Sequence, residues 1–271
     1  MPSKAPFQIL AILNATPDSF YSGSRYFEEA AIERGFSMLD EGADALDIGG
    51  QSTRPGADLV SAQEEVDRVI PIIEGILKER PSVAISIDTF RSSVAKHALL
   101  AGATWVNDIS FGEDDPGMWP MLLEHPGTGY IGMHKQGSIA NMQDSPHYQD
   151  VGLEVSQYLS NKAQALRLKG FEGPLVLDPG FGFGKTLNHN YQLFSQLPAL
   201  VELPYPILVG VSRKSMIYKL LGTNPEHALN GSTALHALAL QMGAGILRVH
   251  DPKEAKETWR LVQAVVHAQG L

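Results

Sequence analysis

The sequence predicts an α/β protein with a (β/α)₈ barrel, and two observations lead to that prediction. The chain has 271 residues, which is a common length for one such barrel. Eight short apolar runs recur along it, and a candidate helix follows seven of them before the next run, while the eighth leads into a C-terminal helix. We therefore expect one domain over residues 1–271. An open doubly wound sheet has the same alternation of elements and stays open as the alternative.

The predicted strands are apolar without alternation, which is typical of parallel strands buried on both faces. In chain order, they are Gln8–Leu13, Ala43–Ile48, Val83–Ile87, Thr104–Val106, Gly129–Met133, Leu175–Leu177, Ile207–Val211 and Ile246–Val249.

The intervening segments carry helical signals. Glu28–Asp40 and Gly152–Lys169 show apolar residues at helical spacing. Ser61–Lys78 opens with a serine followed three residues later by a glutamate, which is the spacing of a capping box. Asp251 is a candidate N-cap, because proline and glutamate follow it at the first and third helical positions.

Composition and charge exclude several functions. The chain is 44% hydrophobic and 19% charged, so it can bury a substantial core. Its formal net charge of -9 opposes binding to nucleic acid or to an anionic membrane. The absence of cysteine excludes disulfides, thiolate metal sites and thiol nucleophiles. No apolar run approaches the roughly 20 residues of a membrane span, and the N-terminal run resembles a strand more than a signal peptide. We expect a soluble, cytoplasmic protein.

Nearly every predicted strand ends in a polar or ionisable residue. In a barrel these ends build the active site, so side chains from all eight would face one cavity. Singly, each residue also has a structural explanation: a helix cap for Asp88 or Asp251, a turn for Asp178, and a local backbone bond for Asn107. The set comprises Asn14, Asp47, Asp88, Asn107, Asp108, His134, Asp178, the run Ser212-Arg213-Lys214, Arg248, His250 and Asp251.

Two other motifs are rejected. The run Gly180–Thr186 resembles a phosphate loop, but the glycine that such a loop needs five residues before Gly184 is Pro179. This leaves open a glycine-rich loop that lies close over a ligand. The nine histidines contain no H-E-x-x-H pair and no cysteine accompanies them, so a zinc site is not expected.

Eight motifs, in order and each at a strand end, resemble dihydropteroate synthases. They are Asn14–Phe20, Asp47–Gly56, Ser86–Thr89, Val106–Asp108, Met133–His134, Leu177–Lys185, Val209–Lys214 and Arg248–Asp251. The resemblance implies a TIM barrel and a transferase of folate biosynthesis. This enzyme joins 7,8-dihydropterin-6-ylmethyl diphosphate to p-aminobenzoate and releases diphosphate. It also implies a homodimer and a role for Mg²⁺.

The same resemblance assigns roles to residues of this chain. Catalysis falls to Asp88, Arg54 and Lys214. The pterin is bound by Asp88, Asn107, Met133, Asp178, Phe183, Gly210, Lys214 and Arg248. The diphosphate is bound by Asn14, Thr53, Arg54, Arg248 and His250, with Asn14 as the metal ligand. The p-aminobenzoate is bound by Phe20, Thr53, Pro55, Ser212 and Lys214.

One position departs from the family pattern, because Ser22 stands where many relatives have a second loop carboxylate. Two rival functions remain. A methyltransferase that uses methyltetrahydrofolate would share Asp88, Asn107 and Asp178, but it would not need the motifs that bind diphosphate and p-aminobenzoate. A non-catalytic pterin-binding paralogue would be marked by loss of Arg54, Lys214 or Asp88, and all three are present.

Overall fold

The computed structural model describes residues 5–16, 24–51, 59–138, 141–142 and 144–269. Within these residues the chain forms eight strands that alternate with helices. The strands are β1 (Ile9–Asn14), β2 (Ala45–Gly49), β3 (Ala84–Asp88), β4 (Trp105–Asp108), β5 (Gly129–Met133), β6 (Leu175–Asp178), β7 (Leu208–Val209) and β8 (Ile246–Val249).

The described part of the chain contains ten α-helices. They are α1 (Ser24–Asp40), α2 (Ala62–Glu79), α3 (Ser92–Leu100), α4 (Met118–Glu124), α5 (Val151–Leu168), α6 (Leu187–Ser195), α7 (Leu197–Leu200), α8 (Ser215–Leu221), α9 (Leu229–Gln241) and α10 (Pro252–Gln269). A short 3₁₀-helix, Pro225–His227, precedes α9. None of the described helices is long and apolar enough to cross a membrane.

All strands are parallel and lie in one sheet, in the order β6-β5-β4-β3-β2-β1-β8-β7. The sheet curls until its two edges meet, where Leu177 of β6 and Ile207, just before β7, form a parallel bridge. The barrel prediction is therefore confirmed, and the open doubly wound sheet is wrong. Closure of the barrel removes the unpaired sheet edges to which a strand of a neighbouring chain could hydrogen-bond.

The predicted helix starts are also found. Ser61 is the N-cap of α2, and its hydroxyl accepts a hydrogen bond from the Glu64 backbone N–H at 3.1 Å. The Glu64 carboxylate pairs with Arg68. Helix α10 begins at Pro252 as predicted.

Two apolar clusters make up the core, because strand side chains alternate between the two faces of the barrel wall. The large cluster packs the outer face of the wall against the helices. The smaller cluster fills one end of the barrel interior with Phe7, Leu10, Ala45, Trp105, Ile131, Val176, Leu208 and Ile246. Each strand that contributes to this plug therefore presents a further inward position two residues closer to the carboxyl end.

Candidate active site

The inward positions beyond the apolar plug carry the residues that the sequence singled out. Ala45 is followed two residues later by Asp47, and the same step on five other strands leads to three polar or charged residues, a glycine and a methionine. The pairs are Trp105 and Asn107, Ile131 and Met133, Val176 and Asp178, Leu208 and Gly210, and Ile246 and Arg248. Because the strands are parallel, all of these positions lie at the carboxyl end of one barrel.

Asn14 and Asp88 complete this ring as the last residues of β1 and β3, and Asn14 is in register with Gly49 at the end of β2. Ser212 follows β7 and His250 follows β8, while Phe183 lies in the loop after β6. Four predicted site residues, Phe20, Thr53, Arg54 and Pro55, and the atypical Ser22 lie outside the described residues.

A charged cluster crosses the barrel interior. The guanidinium of Arg248 donates from Nε to Asp47 Oδ2 and from Nη2 to Asp88 Oδ2, both at 2.6 Å. Asn107 Nδ2 donates to the same Asp47 oxygen at 2.8 Å. Since only the nitrogen of an amide can donate, this bond fixes the Asn107 side chain and leaves its oxygen free to accept from a ligand.

Burial and charge set the protonation of this cluster. Burial raises the pKa of Asp88 to about 7, against the opposing effect of Arg248 and with help from Asp47. Burial acts to lower the pKa of Arg248, but the two carboxylates outweigh it and raise that pKa. Arg248 therefore stays cationic, whereas Asp88 exchanges its proton near neutral pH. Such a carboxylate is suited to a site where positive charge develops during the reaction.

Asp47 is a site residue that the role assignments missed. It is fully buried, and one of its oxygens, Oδ1, has no hydrogen-bond partner. In the sequence, the feature that pointed to Asp47 was a carboxylate at a strand position that faces the barrel interior. Its partner Arg248 lies 201 residues away in the sequence, so only the closed barrel brings the two together.

A second group surrounds Asp178 and Lys214. Asp178 is buried, and its Oδ1 accepts a hydrogen bond from the Gly180 backbone N–H at 2.7 Å. Burial raises the pKa of Asp178, while the nearby Lys214 opposes the shift. Lys214 donates to the Phe181 carbonyl, and its Nζ lies 4.8 Å from the centre of the Phe183 ring. Burial lowers the pKa of Lys214 to about 8, with Asp178 acting in the other direction.

Gly210 lies between these two groups. A Cβ atom at this position would lie 3.8 Å from Arg248 Cβ and 3.9 Å from Asp178 Oδ2. Because both are ordinary contact distances, a glycine is not required for the fold here. The glycine places no side chain between the Asp178 carboxylate and the Arg248 side chain.

The ends of β7 and β8 are tied together. The Ser212 hydroxyl accepts from the His250 backbone N–H, and it also contacts Nδ1 of that histidine, both at 3.1 Å. Next to it, Arg213 has a positive φ of 54°. Its guanidinium makes two 2.8 Å bonds to Asp251, which hold the turn from which Ser212 and Lys214 project. The Asp251 carboxylate thus binds an arginine, in addition to standing at the start of α10.

Asp108 does not face the cavity. Its two oxygens accept hydrogen bonds from the Ser110 N–H and hydroxyl, from the Gly112 N–H and from the Tyr130 hydroxyl, at 2.7–2.8 Å. With four donors bound, this carboxylate orders the loop after β4. Asp108 therefore has a structural role, and the expectation that it faces the cavity with the other strand-end residues is wrong.

A magnesium ion would find few protein ligands here. Within the described residues there is no group of three histidine or carboxylate side chains that could hold a metal ion. Asn14 offers one amide oxygen at the end of β1 and is half-buried. Such a set fits Mg²⁺ only if substrate phosphate oxygens and water supply most of its six ligands, an arrangement that this ion commonly adopts.

The fold and the buried cluster of carboxylates and cations define the class of protein, a barrel enzyme whose candidate site lies at the carboxyl ends of its strands. The sequence profile of the family described as "Pterin binding enzyme" matches residues 10–250. Dihydropteroate synthase of Escherichia coli K12 is 42% identical over 263 residues, which cover 96% of this chain and 92% of that protein.

Two solved structures of Xanthomonas albilineans dihydropteroate synthase have the same fold. The complex with 4-aminobenzoic acid has a TM-score of 0.88 and 41% identity, over 95% of this chain and 92% of that one. The complex with 7,8-dihydropteroate has a TM-score of 0.85 and 38% identity, over 95% and 93%. The chain therefore belongs to the pterin-binding enzyme family and, within it, to the dihydropteroate synthases. The resemblance and the prediction of an enzyme are both confirmed.

Proposed function

We propose that this chain condenses 7,8-dihydropterin-6-ylmethyl diphosphate with p-aminobenzoate, forming dihydropteroate and diphosphate. One observation carries the proposal. Asp178 and Arg248 lie on either side of Gly210, Lys214 lies near Asp178, and Asn107 shares Asp47 with Arg248, so together they can offer acceptors, donors and a planar cation to one ligand. The aminopyrimidine edge of a pterin presents neighbouring N–H donors and an oxo acceptor, which match such a set.

In this proposal Asp178 accepts from the two neighbouring N–H groups of the pterin. Its Oδ1 already accepts from the Gly180 N–H, so Oδ2, which lies beside Gly210, accepts most of the hydrogen bonding from the pterin. The free oxygen of Asn107 accepts along the same edge, and Lys214 donates to the oxo group. To reach the oxo group, the Lys214 ammonium either breaks its hydrogen bond to the Phe181 carbonyl or donates to both oxygens. The flat guanidinium of Arg248 stacks on the ring.

The reaction needs no nucleophile on the enzyme, because diphosphate is itself a good leaving group. Its departure breaks the C–O bond and leaves positive charge on the methylene carbon, delocalised into the dihydropterin. The arylamine nitrogen then attacks that carbon and loses a proton. The Asp88 carboxylate stabilises the cation, and because its pKa lies at about 7 it is largely ionised above neutral pH.

The departing diphosphate carries the opposite charge. We assign its binding to Asn14, His250 and Arg248, together with Thr53 and Arg54. Mg²⁺ bound to Asn14 and to phosphate oxygens would neutralise part of that charge. The carboxylate of p-aminobenzoate is assigned to the neighbourhood of Ser212 and Lys214, with Phe20 and Pro55 packing against its ring. The homodimer implied by the sequence belongs to the same proposal.

One assay tests this function against both rivals. The purified protein is incubated with the dihydropterin diphosphate, p-aminobenzoate and Mg²⁺, and dihydropteroate and diphosphate are quantified together. We expect the two products in equal amounts. Tight pterin binding in a parallel titration, without products, would identify a non-catalytic paralogue, and methyl transfer in a parallel incubation with methyltetrahydrofolate would identify a methyltransferase.

A further inference from the structure

The glycine-rich loop after β6 ends in a lysine that the proposed reaction does not use. In the loop, residues 180–184, the three glycines Gly180, Gly182 and Gly184 adopt positive φ values of 71°, 84° and 61°. Lys185 follows directly, as it would in a phosphate loop. In such a loop, however, the lysine reaches out to the ligand, whereas here Lys185 is only 3% exposed.

The Lys185 ammonium points back into its own loop. Its Nζ donates to the Gly180 carbonyl at 2.9 Å and to the Phe183 carbonyl at 3.1 Å, and it lies 2.9 Å from His134 Nδ1. The protonated amine has three donors, so these three acceptors use all of them, while burial lowers the pKa of Lys185 to about 7. His134 accepts only as a neutral ring, and burial together with Lys185 lowers the pKa of this histidine to about 2.

The same loop holds Lys214 from the other side. The Phe181 carbonyl accepts from the Lys214 ammonium, and the Phe183 ring lies beneath it. Gly182 is also close, since a Cβ atom there would lie 3.4 Å from Lys214 Cδ. The two carbonyls that Lys185 binds belong to Gly180 and Phe183, which flank the Phe181 carbonyl that binds Lys214.

We propose that Lys185 is a positioning residue for pterin binding, which clamps the loop 180–184 so that the Phe181 carbonyl and the Phe183 ring hold Lys214 beside Asp178. Without the ammonium, the Phe183 carbonyl would lose its buried donor and the Gly180 carbonyl would keep only the Phe183 backbone N–H, so the loop would turn to replace the lost bonds. The inference rests on the proposed function, because the ligand that Lys214 serves is the pterin.

The test uses Lys185→Met, which keeps the length of the side chain and removes its donors. The dissociation constant for 6-hydroxymethylpterin, which has no leaving group, is measured by titration calorimetry at a temperature where the variant is folded. We expect it to rise at least tenfold. The matched control is Lys135→Met, since Lys135 is a neighbouring buried lysine whose ammonium donates to Asp114 and to the Gly137 carbonyl instead. We expect the control to bind within twofold of the parent.

A double-mutant cycle separates positioning from a general loss of stability. If Lys185 acts through Lys214, then adding Lys185→Met to Lys214→Ala should weaken pterin binding less than threefold further. An equal effect in both backgrounds would overturn the proposal. So would an unchanged dissociation constant in Lys185→Met, even if its melting temperature falls, because the lysine would then serve stability alone.

Two further results have defined meanings. If Lys185→Met does not unfold cooperatively, the same measurements are made on Lys185→Gln, which retains two donors, and failure of both variants to fold would reject the positioning role. If the parent protein binds no pterin at all, the proposed function fails. Binding by the parent with no effect of Lys185 would instead reject this inference alone.

Discussion

Replacing Asp178 by asparagine tests the pterin assignment without changing the shape of the side chain. In the folded protein, Asp178 Oδ1 accepts from the Gly180 N–H at 2.7 Å. An asparagine can accept there only through its oxygen, so its NH₂ group must take the place of Oδ2. That position lies beside Gly210, where we propose that the pterin binds. The variant would therefore present two donors to a ligand edge that also presents donors.

The expected cost follows from this geometry. A hydrogen bond to a charged group contributes about 1.5–3 kcal/mol, and opposed donors add a desolvation penalty. We expect pterin binding to weaken by about 2–4 kcal/mol, which is roughly 30- to 1000-fold in the dissociation constant. Stability should change little, because the bond to Gly180 is kept and burial already disfavours the charged form of Asp178.

Titration calorimetry with 6-hydroxymethylpterin measures the effect. The matched control is Asp150→Asn, because Asp150 caps helix α5 by accepting from two backbone N–H groups at 3.1 Å. We expect the control to bind the pterin as tightly as the parent. A dissociation constant within twofold of the parent in Asp178→Asn would refute the assignment of this carboxylate to the pterin.

Four further predictions test other parts of the site. Gly210→Ala should fold normally, since its Cβ would meet its nearest neighbours at 3.8 and 3.9 Å, but it should weaken pterin binding about tenfold by calorimetry; unchanged binding would remove Gly210 from the site. The pH profile of kcat/KM should rise through about 7, where Asp88 loses its proton, and fall above about 8, where Lys214 loses its own. Asp88→Asn should lack the acid limb, and a retained limb would assign it to another group. Gly184→Ala should lower the free energy of unfolding in urea by about 2–3 kcal/mol, because its φ is 61° and its Cβ would lie 2.4 Å from the Gln136 carbonyl oxygen; a variant as stable as the parent would contradict this reasoning. Sulfonamides, which copy the arylamine, should inhibit competitively with p-aminobenzoate in steady-state kinetics. Inhibition that persists at high concentrations of p-aminobenzoate would disprove a shared site.

The local pattern of apolar and capping residues was enough to predict the strands and helices of the fold. A run such as Gly129–Met133 is apolar on both sides, and it forms β5 with the predicted bounds. Helix α2 begins where Ser61 supplies its cap, because capping depends on residues only three positions apart. The seventh strand is much shorter than predicted, since the run Ile207–Val211 forms a strand only over Leu208–Val209, preceded by a single bridge at Ile207. Its remaining residues begin the turn that carries the site.

The family and the kinds of residue at the strand ends also followed from the sequence, because the motifs are long and occur in order. Their three-dimensional relations did not. Closure of the barrel depends on the bridge between Leu177 and Ile207, which the spacing of apolar residues along the sequence does not indicate. Asp47 and Asp88 meet Arg248 only because β8 lies beside β1 in the closed sheet, so that distant segments share one interior.

Side-chain direction was likewise a tertiary result. Asp108 stands next to Asn107 in the sequence, but successive strand residues point to opposite faces. Asn107 therefore enters the cavity, while Asp108 binds the loop and Tyr130 outside the barrel wall. Lys185 follows a glycine pattern that suggests an outward, ligand-binding lysine, yet its ammonium turns inward to His134 and the loop carbonyls. The sequence determined which chemical groups are present at the strand ends, and strand register and barrel closure decided which of them face the ligand.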